Sequence, residues 1–211
     1  TFEQNRMPHP VTVPLLVHDS SYFVVDFEVG RLPSRNKEKA RASGRPYRPS
    51  ESKQACLAVF ARFAKALRAQ DSVSIATDRK PGYLRWITNA CPRVASHGQT
   101  SSRRRRDMSN PLAPVNLTFA MLRDGLSRLV RRNWAYSKKR QNLRLHLWIW
   151  AAWRNYVRQV TNKDRWRSPG MLHGLERRRL ALAELVRWRV FADGRCTQQP
   201  TGWVAALPRC A

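Results

Sequence analysis

Acidic residues are scarce in this chain. Asp and Glu number 14 against 40 Lys and Arg, so over 211 residues the formal net charge is 40 − 14 = +26. A surface this poor in acids repels cations and favours a polyanion as partner, with nucleic acid the leading candidate. Long apolar runs are also missing. The longest, LWIWAAW at 147–153, falls far short of the roughly 20 residues that cross a bilayer, so no transmembrane helix is expected. Cysteine is sparse and scattered: Cys56, Cys91, Cys196 and Cys210 form no C-x-x-C pair and no Cys-His spacing of a zinc site. That argues against a disulfide framework or a metal knuckle and for reduced thiols, as in the cytoplasm. The opening residues, TFEQNRMPHP, carry neither an initiator Met nor the apolar stretch of a signal peptide, and the chain reads as one entered partway.

Apolar residues are well represented. They make up 42% of the chain and include eight Trp, more than a solvated basic tail carries, so most of the chain is expected to fold. VTVPLLV (11–17) and YFVVDFEV (22–29), separated by the turn-prone HDSS, read as an antiparallel hairpin made imperfect by Pro14. Residues 30–51 are rich in Gly, Pro, Ser and basic side chains and read as a solvated loop. A helix is expected over about 52–69, where Cys56, Val59, Phe60, Phe63 and Leu67 make one apolar stripe. SVSIAT then reads as a buried strand, YLRWITNA as one or two helical turns and RVASHG as a short strand.

After an arginine-rich loop, a helix over 115–132 puts Val115, Phe119, Leu122, Leu126, Leu129 and Val130 on one face, with Asn116, Arg123, Ser127 and Arg131 on another. A fourth helix, about 138–160, has His146, Ile149, Trp150, Trp153 and Val157 on one stripe, followed by a loop, a short helix in LALAELVRWRVF and a tail. With one strand added ahead of the hairpin, this is the element order of an RNase H-like domain.

Three motifs in sequence order, TFEQ (1–4), TDRKPGY (77–83) and NLTFAMLR (116–123), together with LSRLVRRNWAYSKK and LRLHLWIWAAWRNYVR downstream, resemble bacterial insertion-sequence transposases of the DDE type. The resemblance implies an α/β fold: an RNase H-like mixed sheet flanked by helices, with a C-terminal helical extension. It implies a catalytic core over 1–135 with an incomplete first strand, a helical continuation over 136–192 packing on that core, and a flexible tail over 193–211. The implied partner is DNA, as transposon ends and target held through the phosphate backbone, with the protein as a homodimer on DNA in the bacterial cytoplasm.

The family's reaction, strand cleavage and transfer, uses two Mg²⁺ or Mn²⁺ ions about 4 Å apart held by three acids. The resemblance makes Asp78 the second acid, both catalytic residue and metal ligand. Its local alternative is a turn aspartate capping KPGY. The first acid is expected upstream of Thr1, and the third position falls on Asn116, whose neutral oxygen would bind a metal more weakly and which is otherwise a helix N-cap. Leu117 stands where the family often has His. Asp26 sits three strands from Asp78 in such a sheet, about 14 Å away, too far to share a metal, and is expected to face solvent or form a salt bridge. Asp124 reads as a surface acid near Arg128, His146 as a core or catalytic histidine, and Glu3 as a strand residue or a support for the metal ligands.

Arg103, Arg104, Arg105 and Arg106 are candidates for gripping phosphates. So are Arg123 and Arg131 on the Asn116 face, continuing into Lys138, Lys139 and Arg140, with Trp134 and Tyr136 available to stack on an unpaired base. The expectation is a truncated or inactive transposase copy that still binds DNA. The competing reading is a non-enzymatic basic nucleic-acid-binding protein, distinguished by binding that is indifferent to metal.

Overall fold

The computed structural model describes residues 2–3 (backbone), 10–33, 44, 49–105, 107–129 and 139–187. Most of the basic loop at 30–51, Arg106, Arg131, Trp134, Tyr136, Lys138, the Glu3 side chain and the tail at 193–211 lie outside the described residues.

The N-terminal third is antiparallel. Strand β2 (Val11–Val13) lies between β1 (Phe2–Glu3) and β5 (Gly30–Arg31), and β3 (Leu15–Val17) pairs with β4 (Val24–Phe27). The expected hairpin is therefore present, but Pro14 divides its first arm between two small sheets. Proline has no N–H to give to a ladder, although its carbonyl still accepts the Glu28 amide at 3.2 Å. Gly30 is required by close approach: a Cβ there would meet Thr12 Cγ2 at 2.9 Å and the Ala55 Cβ at 3.1 Å.

Helix α1 (Ser52–Ala66) buries Ala55, Cys56, Val59 and Phe60, close to the expected stripe. It ends before residue 69 because Leu67 turns extended. Strand β6 (Val73–Asp78), helix α2 (Tyr83–Ala90) and strand β7 (Val94–Thr100) follow, with β6 and β7 parallel and in register from Ser74↔Ser96 to Asp78↔Thr100. A crossover helix between sequential strands gives this parallel pairing. The buried strand expected at SVSIAT is only half realised. Ile75 is buried while Ser74 and Ala76 are exposed, so one face of the pair packs and the other is open.

Helix α3 is Ala113–Gly125, and a 3-10 turn, Ser127–Leu129, stands where the expected helix would continue; 130–132 lie outside the described residues. The break falls at Leu126, whose backbone is extended. Helix α4 is Arg140–Tyr156, and its buried stripe is Leu143, Leu147, Trp150, Ala151 and Arg154. Ile149, expected on the core side, is 67% exposed, so the stripe is rotated from the one expected. A short helix α5 (Pro169–Leu172) interrupts the expected loop, and α6 (Leu182–Arg187) lies within the stretch expected as the last helix.

Two apolar clusters hold these elements. The larger joins Val11, Val13, Val24 and Phe27 to Leu122 and Leu126 of the α3 region and to Leu143, Leu147 and Trp150 of α4. The smaller is Cys56, Phe60, Ile75, Tyr83 and Ile87, between α1, β6 and α2. Each fully buried large aliphatic or aromatic side chain contributes about 1.5–3 kcal/mol. The architecture is mixed α/β, with small sheets flanked by helices.

Candidate nucleic-acid interface

The carboxyl end of β6, the loop at 101–110 and the first turns of α3 face one another across a cavity of about 520 Å³. Asp78, Asn116, Arg104 and Arg123 all line it.

Asp78 closes β6. Its Oδ1 accepts the Lys80 amide at 3.2 Å, the turn geometry that the local sequence suggests. The turn is held from outside: Lys80 Nζ donates to Ser52 Oγ on α1 at 2.9 Å, and Gly82, at φ 96°, takes the left-handed conformation that starts α2. One residue earlier, the Thr77 hydroxyl donates to the Asp78 carbonyl at 2.9 Å and lies 2.8 Å from His97 Nε2. Burial lowers the His97 pKa, which favours its neutral ring.

The arginine loop is folded rather than a loose charge run. The Arg104 amide donates to the Ser101 carbonyl at 3.0 Å and its guanidinium to the Ser109 carbonyl at 3.1 Å. Asp107 accepts from the Ser109 amide (3.1 Å) and hydroxyl (2.6 Å), and these bonds, led by the hydroxyl, hold its carboxyl below the usual range. Asn110 Oδ1 accepts from the Leu112 amide (2.9 Å) while its Nδ2 donates to the Arg105 carbonyl (2.8 Å). This Asx turn starts α3.

Asn116 is not an N-cap. The helix is capped at Leu112, and the Asn116 amide already donates to the Leu112 carbonyl at 2.9 Å. Its side chain is thereby placed one turn into α3, on the same wall as Arg123 seven residues later.

Other predicted residues fall elsewhere. Arg103 and Arg105 are exposed on the loop but do not line the cavity. Lys139 and Arg140 are also away from it, and Arg140 is engaged in an ion pair with Glu51, which Arg31 also holds. Asp26 is buried and salt-bridged: Arg62 Nε lies 2.8 Å from its Oδ2, and the same guanidinium reaches Glu28 at 2.9 Å. Burial raises the Asp26 pKa against the opposing pull of Arg62. Asp124 is exposed. His146 is half-buried and away from the cavity, and burial and then the Arg128 charge lower its pKa.

Sequence reasoning missed Asp107, Asn110, Ser101 and Ser102, all of which line the cavity. The available signals were the lone acid within RRRRDMSN and the Asn-Pro step that opens α3.

These residues do not fit a two-cation site. Among the described residues no group of three or more His, Cys, Asp or Glu could hold a metal ion. Around the cavity, the two carboxylates Asp78 and Asp107 share the walls with the guanidinium groups of Arg104 and Arg123. Hard divalent ions take several oxygen ligands with enough negative charge, and here two arginines offset the charge of the two carboxylates. The arginines on these walls suit a phosphate group. No family model, curated protein or solved structure matches the chain.

Proposed function

We propose that this chain is a nucleic-acid-binding domain of the DDE transposase type, RNase H-like in plan, which holds DNA through its phosphates at the cavity beside Asp78. The observation that carries this reading is the convergence of Asp78, Asn116, Arg104 and Arg123, distant in sequence, on one cavity. Asp78 lies at the carboxyl end of a parallel strand pair, where open α/β sheets bind ligands. The antiparallel hairpin, crossover helix and parallel pair are compatible with the order of an RNase H-like sheet. The net charge of +26 supplies the long-range attraction.

The family reaction is cleavage and transfer of an insertion-sequence strand. With two arginines beside Asp78 and Asp107, the chain's activity is binding, and Mg²⁺ or Mn²⁺ chemistry lies outside it. The test is fluorescence anisotropy on labelled DNA in EDTA and in Mn²⁺, with and without Asp78→Asn. Removing a carboxylate that faces phosphates tightens binding in EDTA, and the Arg104→Ala/Arg123→Ala pair weakens it. Indifference to all three changes overturns the site. A Mn²⁺-dependent gain that Asp78→Asn abolishes would instead restore Asp78 as a metal ligand.

A further inference from the structure

We infer that the cavity takes an unpaired nucleotide of a strand, its base inside and its phosphate on Arg104 and Arg123. This inference rests on the DNA-binding reading above and narrows it to single-stranded substrate.

Size is the first ground. About 520 Å³ lies within the roughly 300–1,000 Å³ of pockets that enclose ligands of small-molecule size, and a base-paired duplex is far larger. The second ground is how the walls divide. Val59 and Phe60 of α1, Ile75 of β6, Tyr83 of α2 and Phe119 of α3 supply apolar surface, while the loop and α3 supply Arg104 and Arg123. A base has two apolar faces and a polar edge, and its phosphate carries the charge, so a single nucleotide uses both kinds of wall. Asn116, Ser101 and Ser102 offer amide and hydroxyl groups for the base edge.

Pre-formation is the third ground. The bonds of Asn110, Asp107 and Arg104 hold residues 101–105 and 107–110 in place before any ligand arrives, and Lys80–Ser52 and Thr77–His97 set the opposite side. Ordering therefore costs little on binding. Met108, 76% exposed, also lines the cavity and gives a base apolar surface open to solvent.

The experiment compares a labelled single strand with the matching blunt duplex on the whole chain at equal salt. Two cavity-filling variants accompany it, Ala120→Trp on α3 and Ser102→Trp on the loop, both at exposed positions lining the cavity. The single strand is expected to bind roughly tenfold tighter than the duplex, the scale of stacking one base, and both Trp variants should bring the ratio close to one. Equal binding of strand and duplex by the unsubstituted chain overturns the proposal and leaves DNA binding intact. So does a preserved preference in both variants when their circular dichroism and melting are unchanged. Binding to neither form removes the DNA-binding reading as well. A free nucleoside monophosphate is the competitor: displacement of the strand only at far higher concentration supports the proposal, and displacement at comparable concentration reassigns the cavity to free nucleotides.

Discussion

The two apolar clusters of this protein are built to different depths. The larger is closed on both sides, by β2 and β4 on one and by α3 and α4 on the other, with Val13 and Leu143 at 0% exposure. The smaller rests on a two-stranded pair with one buried β6 residue, Ile75, and an open opposite face. Charge follows the same division. Near the large cluster Asp26 and Glu28 pair with Arg62, and Glu51 pairs with Arg31 and Arg140. At the cavity, Asp78 and Asp107 accept bonds from the Lys80 amide and from Ser109, beside arginines. In a chain with so few acids, the buried ones neutralise cations that hold the fold, while at the cavity the two arginines stand against two carboxylates, Asp78 and Asp107.

Substitutions should separate the two regions. Leu147→Ala removes a side chain that is 2% exposed and should cost about 3 kcal/mol in urea denaturation. Leu84→Ala on α2, where the residue is 59% exposed, should stay within about 0.5 kcal/mol. Similar losses at both positions would erase the distinction. Arg62→Ala leaves the buried Asp26 unpaired and should cost about 2 kcal/mol, less than for a fully buried pair because the Arg62 side chain is 22% exposed.

Arg104→Ala with Arg123→Ala should behave in the opposite way. Arg104 gives up its bond to the Ser109 carbonyl, so stability should fall by about 1 kcal/mol, while the slope of log affinity for duplex DNA against log salt falls by about 1.8. A large loss of stability with an unchanged slope would make these arginines structural.

The smallest effect concerns pH. At the β3–β4 turn, the His18 ring lies edge-on to His173, which follows α5, at 4.7 Å between centroids, and Ser21 Oγ is 2.9 Å from His18 Nδ1 and 3.5 Å from His173 Nδ1. Burial, and then the charge of His18, lower the His173 pKa below 6.5. Below that value the unfolded chain binds the proton more readily than the folded one. Stability from this group is therefore complete above about pH 6.5 and falls as the pH drops through the depressed folded value. His173→Gln should flatten that part of a stability profile measured by urea melts at successive pH values.

The elements were mostly legible in the sequence because their signals are local. Alternation of Val, Phe and polar residues marked β4, the three- and four-residue spacing of Cys56, Val59, Phe60 and Phe63 marked α1, and Pro14 marked the flaw in the first strand. The errors arose where a local pattern allowed two outcomes. In α4 the apolar residues almost encircle the helix, so periodicity did not choose between the Ile149 side and the Leu143–Leu147 side; contact with β4 and α3 did. SVSIAT looked buried throughout because its residues suit a strand, but a strand covered on one face buries every second residue.

The candidate site was legible as residue types and not as a set. Asp78, Asn116, Arg104 and Arg123 stood out singly, and Lys139 and Arg140 stood out equally although they lie away from the cavity. Asn116 read as the third metal-ligand position or as a cap, and the Asn110 turn, by starting α3 upstream, removes the cap.

The sequence by itself determined the basic charge, most of the helices and strands, and the absence of an apolar run long enough to span a bilayer, since each is a property of composition or of neighbours along the chain. Only the tertiary structure decided that Asp26 is locked to Arg62 while Asp78 meets Asn116 and two arginines across a cavity. Those pairings join residues far apart in sequence, and they are set by how strands register and helices pack, which no local pattern encodes.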